Sequence, residues 1–215
     1  MPPIDIKSCE EHTRSPGGYA FQTVETTRAI YEKNFRDKVQ YNVNNPLGMV
    51  LDNNPSIQIC IDIGSGVGWT ASLMAATRRE VYAIEPSAEA MVLAKAVSEN
   101  TNIAWIHGYA EDGLRTLSFS EPVLINTSCV LSHLDDSAVE AICQQICRIA
   151  RAGSVLTCSE LWGPENHSPF WHTRTKEWWK KNLENFDLTF LETYPLTFQA
   201  PGRFVGFYGI KTGTL

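Results

Sequence analysis

Ile57-Gln58-Ile59-Cys60-Ile61-Asp62-Ile63-Gly64-Ser65-Gly66-Val67-Gly68 is the stretch on which the fold turns. Its first half is a β-branched apolar run, the composition of a strand buried on both faces. Its second half holds Gly64, Gly66 and Gly68, which let the backbone bend tightly and let a ligand approach the main chain. Trp69–Arg79 then has helical character. A buried strand that passes through glycines into a helix marks a ligand crevice at the carboxyl edge of a parallel sheet.

The same alternation continues outward. Glu80–Glu85 (EVYAIE) predicts a second strand and Ser87–Asn100 an amphipathic helix, with Ser87 as N-cap and Glu89 in its first turn. Ile103–His107 predicts a third strand and Glu121–Thr127 a fourth. Asp135–Ala150 predicts a helix capped by Asp135 or Asp136, with Gly153 soon after its end, and Ser154–Glu160 a fifth strand. Strands that alternate with helices lie parallel, joined by right-handed crossovers in a doubly wound α/β sheet. Phe186–Tyr194 and Arg203–Lys211 are both strand-like, with Pro195, Pro201 and Gly202 but no helix between them. They predict a hairpin and an antiparallel last strand, which makes the sheet seven-stranded and mostly parallel.

Upstream, residues 1–17 are polar and contain Pro2, Pro3 and Pro16, as in an arm or lid. Phe21, Val24, Ala29, Ile30, Phe35 and Val39 recur at roughly helical spacing and predict a helical N-terminal cap over 19–40. Asn42–Pro55 carries Asn-Asn-Pro twice and suggests a connection. The expected organisation is an arm and cap over 1–50, one α/β domain over 51–215, and an insertion at 161–181 over one end of the sheet.

Of the 215 residues, 43% are apolar and 20% charged, the balance of a globular chain rather than a disordered one. A formal net charge of −6 repels phosphate backbones, so nucleic acid is a poor partner. No apolar run approaches the ~20 residues of a spanning helix, so no membrane partner is expected. Met1–Glu10 has no apolar core of a secretory leader. A cytoplasmic setting is therefore expected, with Cys9, Cys60, Cys129, Cys143, Cys147 and Cys158 reduced. Cys143 and Cys147 share a helix face but have no Cys or His partner at zinc spacing, and no metal is expected.

The glycines run Asp62-x-Gly64-x-Gly66-x-Gly68, which departs from the G-x-G-x-x-G spacing of dinucleotide folds. A carboxylate at Asp62 would repel a pyrophosphate but suits a ligand bearing an ammonium and a sulfonium. Glu85 closes the second strand, where its carboxylate can accept both hydroxyl protons of a ribose. These features resemble the class I S-adenosylmethionine-dependent methyltransferases. The family's acidic-x-Gly-x-Gly-x-Gly motif matches Asp62–Gly68, and its acidic residue after the second strand matches Glu85. Ala110-Glu111-Asp112 looks like the family segment that meets adenine, and the terminal hairpin is similar to its reversed seventh strand. The resemblance spans roughly residues 50–211. It implies S-adenosylmethionine as cofactor, with Gly64 and Gly66 against the methionine part and Glu85 on the ribose. Glu111 or Asp112 would meet the adenine amine. Ser65, Gly68, Pro86, Ala110 and Asn126 complete the implied cofactor surface. A Rossmann-like domain for another nucleotide, or a non-catalytic relative, are the competing readings.

The family places acceptor chemistry after the fourth strand, here Asn126-Thr127-Ser128-Cys129-Val130-Leu131-Ser132-His133-Leu134. The Asn/Asp-Pro-Pro-Tyr/Phe signature of its DNA and glutamine methyltransferases is missing, which argues against planar amides and base amines as acceptors. Methyl transfer is an in-line displacement, so a catalyst must align the acceptor and remove any proton it carries. His133 is the first candidate base, since an unperturbed pKa near ~6.5 suits that task; a capping or surface histidine is the plainer reading. Leu161–Lys181 adds His167 and His172 as alternative bases, together with Trp162, Phe170, Trp171, Trp178 and Trp179. Trp178 or Trp179 should pack a helix onto the sheet, while Trp162, Phe170 and Trp171 could wall the acceptor. Ser128, Glu160 and, from the N-terminal lid, Tyr19 complete the expected acceptor surface. Arg174, Lys176, Lys180 and Lys181 suggest a solvated helix face. The expected activity is methyl transfer to an oxygen, nitrogen or carbon of a small molecule, with secondary metabolism as a fitting context. The expected enzyme is a monomer or homodimer, and a peptide or protein side chain is the alternative acceptor.

Overall fold

Ile59–Ile63 forms β1, an interior strand of the sheet, and from Cys60 onward it is buried. Side chains alternate across a strand with a period of two, so Ile61 and Ile63 enter the core on one face and Cys60 the core on the other. In the computed structural model the described residues are 46–162, 166–167, 172–191 and 203–213, together with Glu25. The sheet continues with β2 (Glu80–Glu85), β3 (Ile103–His107), β4 (Val123–Ser128) and β5 (Val155–Trp162), then β8 (Phe186–Phe190) and β9 (Arg203–Lys211). A separate two-stranded ladder is made by β6 (Asn166–His167) and β7 (His172–Thr173).

The strand order is β3-β2-β1-β4-β5-β9-β8. β1 to β5 pair in parallel, whereas β9 runs antiparallel to both β5 and β8. This is the mostly parallel, seven-stranded, doubly wound sheet expected from the alternation. The order reverses between β1 and β4, the switch point at which the loops leave to opposite faces and open a crevice.

Helices cover both faces. α1 (Leu47–Asn53) and α2 (Trp69–Ala76) pack on one, where Leu47, Val50, Ala71 and Met74 meet Cys60, Val81 and Leu124. α3 (Ala88–Val97) begins at Ser87, whose side chain accepts from the Ala90 N–H as the sequence predicted. The other face carries α4 (Ala110–Arg115), α5 (Asp136–Ile149) and α6 (Lys176–Asn182). Asp135 caps α5 by accepting from the Ala138 N–H, and Val139, Ile142, Cys143, Ile146 and Ile149 form its buried stripe. Trp179 is the α6 anchor, buried against Phe207 of β9. No helix among the described residues is long and apolar enough to cross a membrane.

One local expectation changes. The stretch Asn42–Pro55 contains α1 rather than a plain connection. Leu47, Val50 and Leu51 stand at i, i+3 and i+4 and are all buried, and Pro46 just ahead of them suits the first turn of a helix. Asn54 Nδ2 closes the helix by donating to the Val50 carbonyl at 2.8 Å. Leu47, Val50 and Leu51 thereby join the buried core. The segment after β3 is likewise helical, as α4. The arm over 1–17 lies outside the described residues, as does the cap helix over 19–40 apart from Glu25, which is helical.

Candidate functional site

The loop from β1 to α2 holds Gly64, Gly66 and Gly68 at φ of +66°, +53° and +79°, a region side-chain-bearing residues rarely adopt. At Gly64 space forbids a side chain as well, because a Cβ would lie 2.3 Å from Val130 Cγ2 in the loop after β4. At Gly68 it would lie 2.4 Å from Trp105 Cη2 on β3. The glycines thus let the first loop sit directly against the turn after β4 on one side and β3 on the other.

Glu85 fastens this loop. Its Oε2 accepts from the Gly66 N–H at 2.8 Å, and its Oε1 from the Ser87 N–H at 2.9 Å. The Ser65 N–H donates to the Ile84 carbonyl at 3.0 Å. A carboxylate offers about four lone-pair positions, so Glu85 keeps acceptor capacity on both oxygens. Burial raises its pKa, and the Ser87 and Gly66 amides oppose that rise.

Behind the loop lies a polar rung that crosses three strands. Asp62, Asn126 and Thr157 are register partners on β1, β4 and β5. Thr157 Oγ1 donates to Asn126 Oδ1 at 2.8 Å, and Asn126 Nδ2 donates to Asp62 Oδ1 at 2.9 Å. Asn126, expected at the cofactor, is only 1% exposed with both ends of its amide engaged. Its place on β4 sets it between Asp62 and Thr157 on the neighbouring strands. Burial pushes the Asp62 carboxyl up to about 7, against the pull of Asn126 and the Ala71 amide. Asp62 Oδ2 and Ser65 Oγ are buried without a hydrogen-bond partner among the described residues.

Beyond β2, Pro86 is exposed and its carbonyl lies 3.0 Å from His107 Nε2. Ala110 is half-buried at the start of α4. Glu111 and Asp112 both pair with Arg115 one turn on, Asp112 at 3.2 Å, and their carboxylates reach solvent. Tyr109 went unnoticed in the sequence: it is 72% exposed at the carboxyl end of β3, two residues from the strand partner of Glu85. An aromatic placed directly after a glycine at a strand end was the available signal.

The segment after β4 is a tight turn. Ser128 is half-buried at the strand end, and Cys129 is exposed with φ +56°. Leu131–His133 is a single turn of 3₁₀ helix, and His133 is half-buried. His172 is half-buried on β7, its register partner is His167 on β6, and β7 packs against the His133 turn. The three candidate histidines are thus gathered on neighbouring elements. Among the described residues no group of three or more His, Cys, Asp or Glu is placed to hold a metal ion.

Two further expectations are corrected. Glu160 does not face an acceptor pocket: it is 1% exposed, accepts from Thr127 Oγ1, and takes backbone N–H groups of the turn. Arg174 is not part of a solvated face: it is 1% exposed, and its guanidinium donates to Asp136, Leu131 and Leu134. Each is buried because its charge is spent on the backbone or a carboxylate. Tyr19, Phe170 and Trp171 lie outside the described residues, and Trp162 ends β5.

Residues 60–153 match the family model described as "Methyltransferase domain". No curated protein matches the chain. Solved structures of similar fold include TehB from Haemophilus influenzae, 15% identical with a TM-score of 0.61, covering 77% of this chain and 62% of that one. A SAM-dependent methyltransferase from Methanosarcina mazei is 17% identical with a TM-score of 0.57, covering 74% and 94%. Magnesium protoporphyrin IX methyltransferase from Synechocystis PCC 6803, solved with bound SAM, is 15% identical with a TM-score of 0.60, covering 98% and 100%. The chain thus spans less than two thirds of TehB but the full length of the Synechocystis enzyme. At such identities the likeness is one of fold.

Proposed function

We propose, from the match of residues 60–153 to the methyltransferase-domain family, that this chain transfers the methyl group of S-adenosylmethionine to an oxygen, nitrogen or carbon of a small molecule. The observation that carries the proposal is the bare Oδ2 of buried Asp62 behind three left-handed glycines, one strand from Glu85. A buried polar atom without a partner calls for one, and the donor it suits is an ammonium. Glu85, with lone pairs to spare, suits vicinal hydroxyls. The residues present therefore fit S-adenosylmethionine, which when bound supplies a sulfonium methyl already activated for displacement.

The chain's own part is to hold and to orient. Asp62, Gly64, Ser65, Gly66 and Gly68 would seat the amino-acid end. Glu85, Pro86 and the segment 109–112 would seat the nucleoside. The turn after β4 would bring His133 to the acceptor, where a half-buried imidazole can take a proton; His172 and His167 are its neighbours for the same role. Ser128, Trp162, Phe170, Trp171 and Tyr19 would bound the acceptor itself. In this reading one catalytic domain runs from about residue 51, preceded by an arm and helical cap and covered at one end by 161–181.

A small acceptor is favoured by the net charge of −6 and by the missing Asn/Asp-Pro-Pro-Tyr/Phe signature after β4. The magnesium protoporphyrin IX methyltransferase of similar fold is one precedent for such a substrate. Calorimetry with S-adenosylmethionine, S-adenosylhomocysteine and NAD tests the reading. The first two should bind and NAD should not; binding of NAD alone would overturn it. Screening small metabolites against peptides for product S-adenosylhomocysteine separates the acceptor classes.

A further inference from the structure

We infer that Glu160 and Arg174 are positioning residues that hold the turn Val130–Leu134, and with it His133, at the carboxyl edge of the sheet. The inference rests on reading that edge as the acceptor site. The turn has little to hold itself. Its own backbone bonds run from the His133 N–H to the Val130 carbonyl at 3.1 Å and from the Leu134 N–H to the Leu131 carbonyl at 3.3 Å. A 3₁₀ turn this short has poor hydrogen-bond geometry and little cooperativity.

Two buried ions make up the deficit from opposite sides. Glu160, on β5, accepts from the Val130 N–H on Oε1 and the Ser132 N–H on Oε2, both at 3.0 Å. Arg174 follows β7 and donates to the Leu131 carbonyl at 2.8 Å and the Leu134 carbonyl at 2.6 Å. Its guanidinium is steadied by Asp136 at 2.8 Å and by the Trp178 ring, 5.0 Å away. The carboxylate gathers the turn's N–H groups while the guanidinium gathers its carbonyls.

Burying two charges is costly, and a mere connection from β4 to α5 does not need them. The helix start is already served, since Asp135 caps α5 through the Ala138 N–H at 2.9 Å. What the two ions fix is the placement of the turn. Val130 presses on the glycine loop, where a Cβ at Gly64 would come within 2.3 Å of Val130 Cγ2. Holding Val130 and Leu134 therefore fixes the spacing between the glycine loop and His133. Arg174 adds a condition: the chain returning through β7 must be seated before its half of the clamp forms.

The test is amide hydrogen exchange and imidazole NMR on the full chain. Arg174→Lys keeps the charge but loses the planar fork that reaches two carbonyls. It should speed exchange at His133 and Leu134 by about tenfold or more and shift the His133 Cε1–H resonance, whereas the Gly66 and Ser87 amides stay unchanged. Glu160→Gln should do the same at Val130 and Ser132. Arg174→Met should exceed Arg174→Lys; if Met prevents folding, the milder Lys variant still decides. Unchanged turn amides and an unchanged His133 signal in both Arg174→Lys and Glu160→Gln would overturn the inference. So would exchange rising equally over β1 to β5. S-adenosylhomocysteine binding is measured on the same samples. If no protein binds it while the turn amides respond, the cofactor reading fails and the clamp stands; if wild type and variants bind alike while the turn is unmoved, the clamp fails alone.

Discussion

At Asp62 one carboxylate oxygen is held by Asn126 and the other is bare, with the carboxyl pushed up to about 7 by burial. The unfolded chain titrates this group near 3.8, so between roughly pH 4 and 7 the folded chain binds the proton more tightly. That contribution to stability is complete at low pH and is lost as pH rises through 7. A cation placed beside Oδ2 favours the charged form, so binding S-adenosylhomocysteine near pH 6 should release a proton, and near pH 8 should release almost none. Calorimetry in buffers of different ionisation enthalpy measures the release; equal uptake or release at both pH values would remove Asp62 from the ligand's ammonium. Glu85→Ala should weaken S-adenosylhomocysteine by about 1–3 kcal/mol, the cost of losing an acceptor for charged or hydroxyl donors. An unaltered dissociation constant would count against its ribose role. Asp62, the glycines and Glu85 were legible in the sequence because a tight bend admits few residue types. Asn126, Glu160 and Arg174 were not. A polar residue in a strand or loop gives no sign of which rung or carbonyl it will meet, and their partners stand 64, 28 and 43 positions away.

Helix starts were the best-marked elements. Ser87 and Asp135 cap α3 and α5 from the positions their side-chain chemistry suggests. Ser87→Ala should cost about 1 kcal/mol of stability, the usual worth of an N-cap serine, read from denaturant melts; no change would show that the Glu85 contact to the Ser87 N–H suffices to start the helix. α1 and α4 were missed because both are short, at seven and six residues, so local punctuation outweighs periodicity. In α1 the asparagines and prolines that suggested a loop in fact bracket the helix. One of Trp178 and Trp179 was expected in the core; it is Trp179, and its burial against Phe207 ties α6 to the antiparallel strand.

For the main sheet as a whole, the seven strands, their direction and the reversed β9 followed from the rhythm of the sequence, whereas the separate β6–β7 ladder did not. The order did not: that β9 enters between β5 and β8 depends on which edges are left open once β1 to β5 have assembled. Crossover rules narrow the choices without choosing. Ligand should stabilise the assembled sheet by mass action, by about 2.7 kcal/mol at a hundredfold excess over the dissociation constant. A thermal shift that ignores S-adenosylhomocysteine concentration would contradict a binding site in the native state.

The place of β9 also sets an order of assembly during synthesis. Phe186–Phe190 leaves the ribosome before Arg203–Lys211, yet among the described residues its ladder in the sheet is made with the later strand alone. Until that strand emerges, β5 presents an open edge of unpaired backbone, a template for sticking to other chains. A nascent protein paused near residue 195 should therefore need chaperone protection that the released one does not.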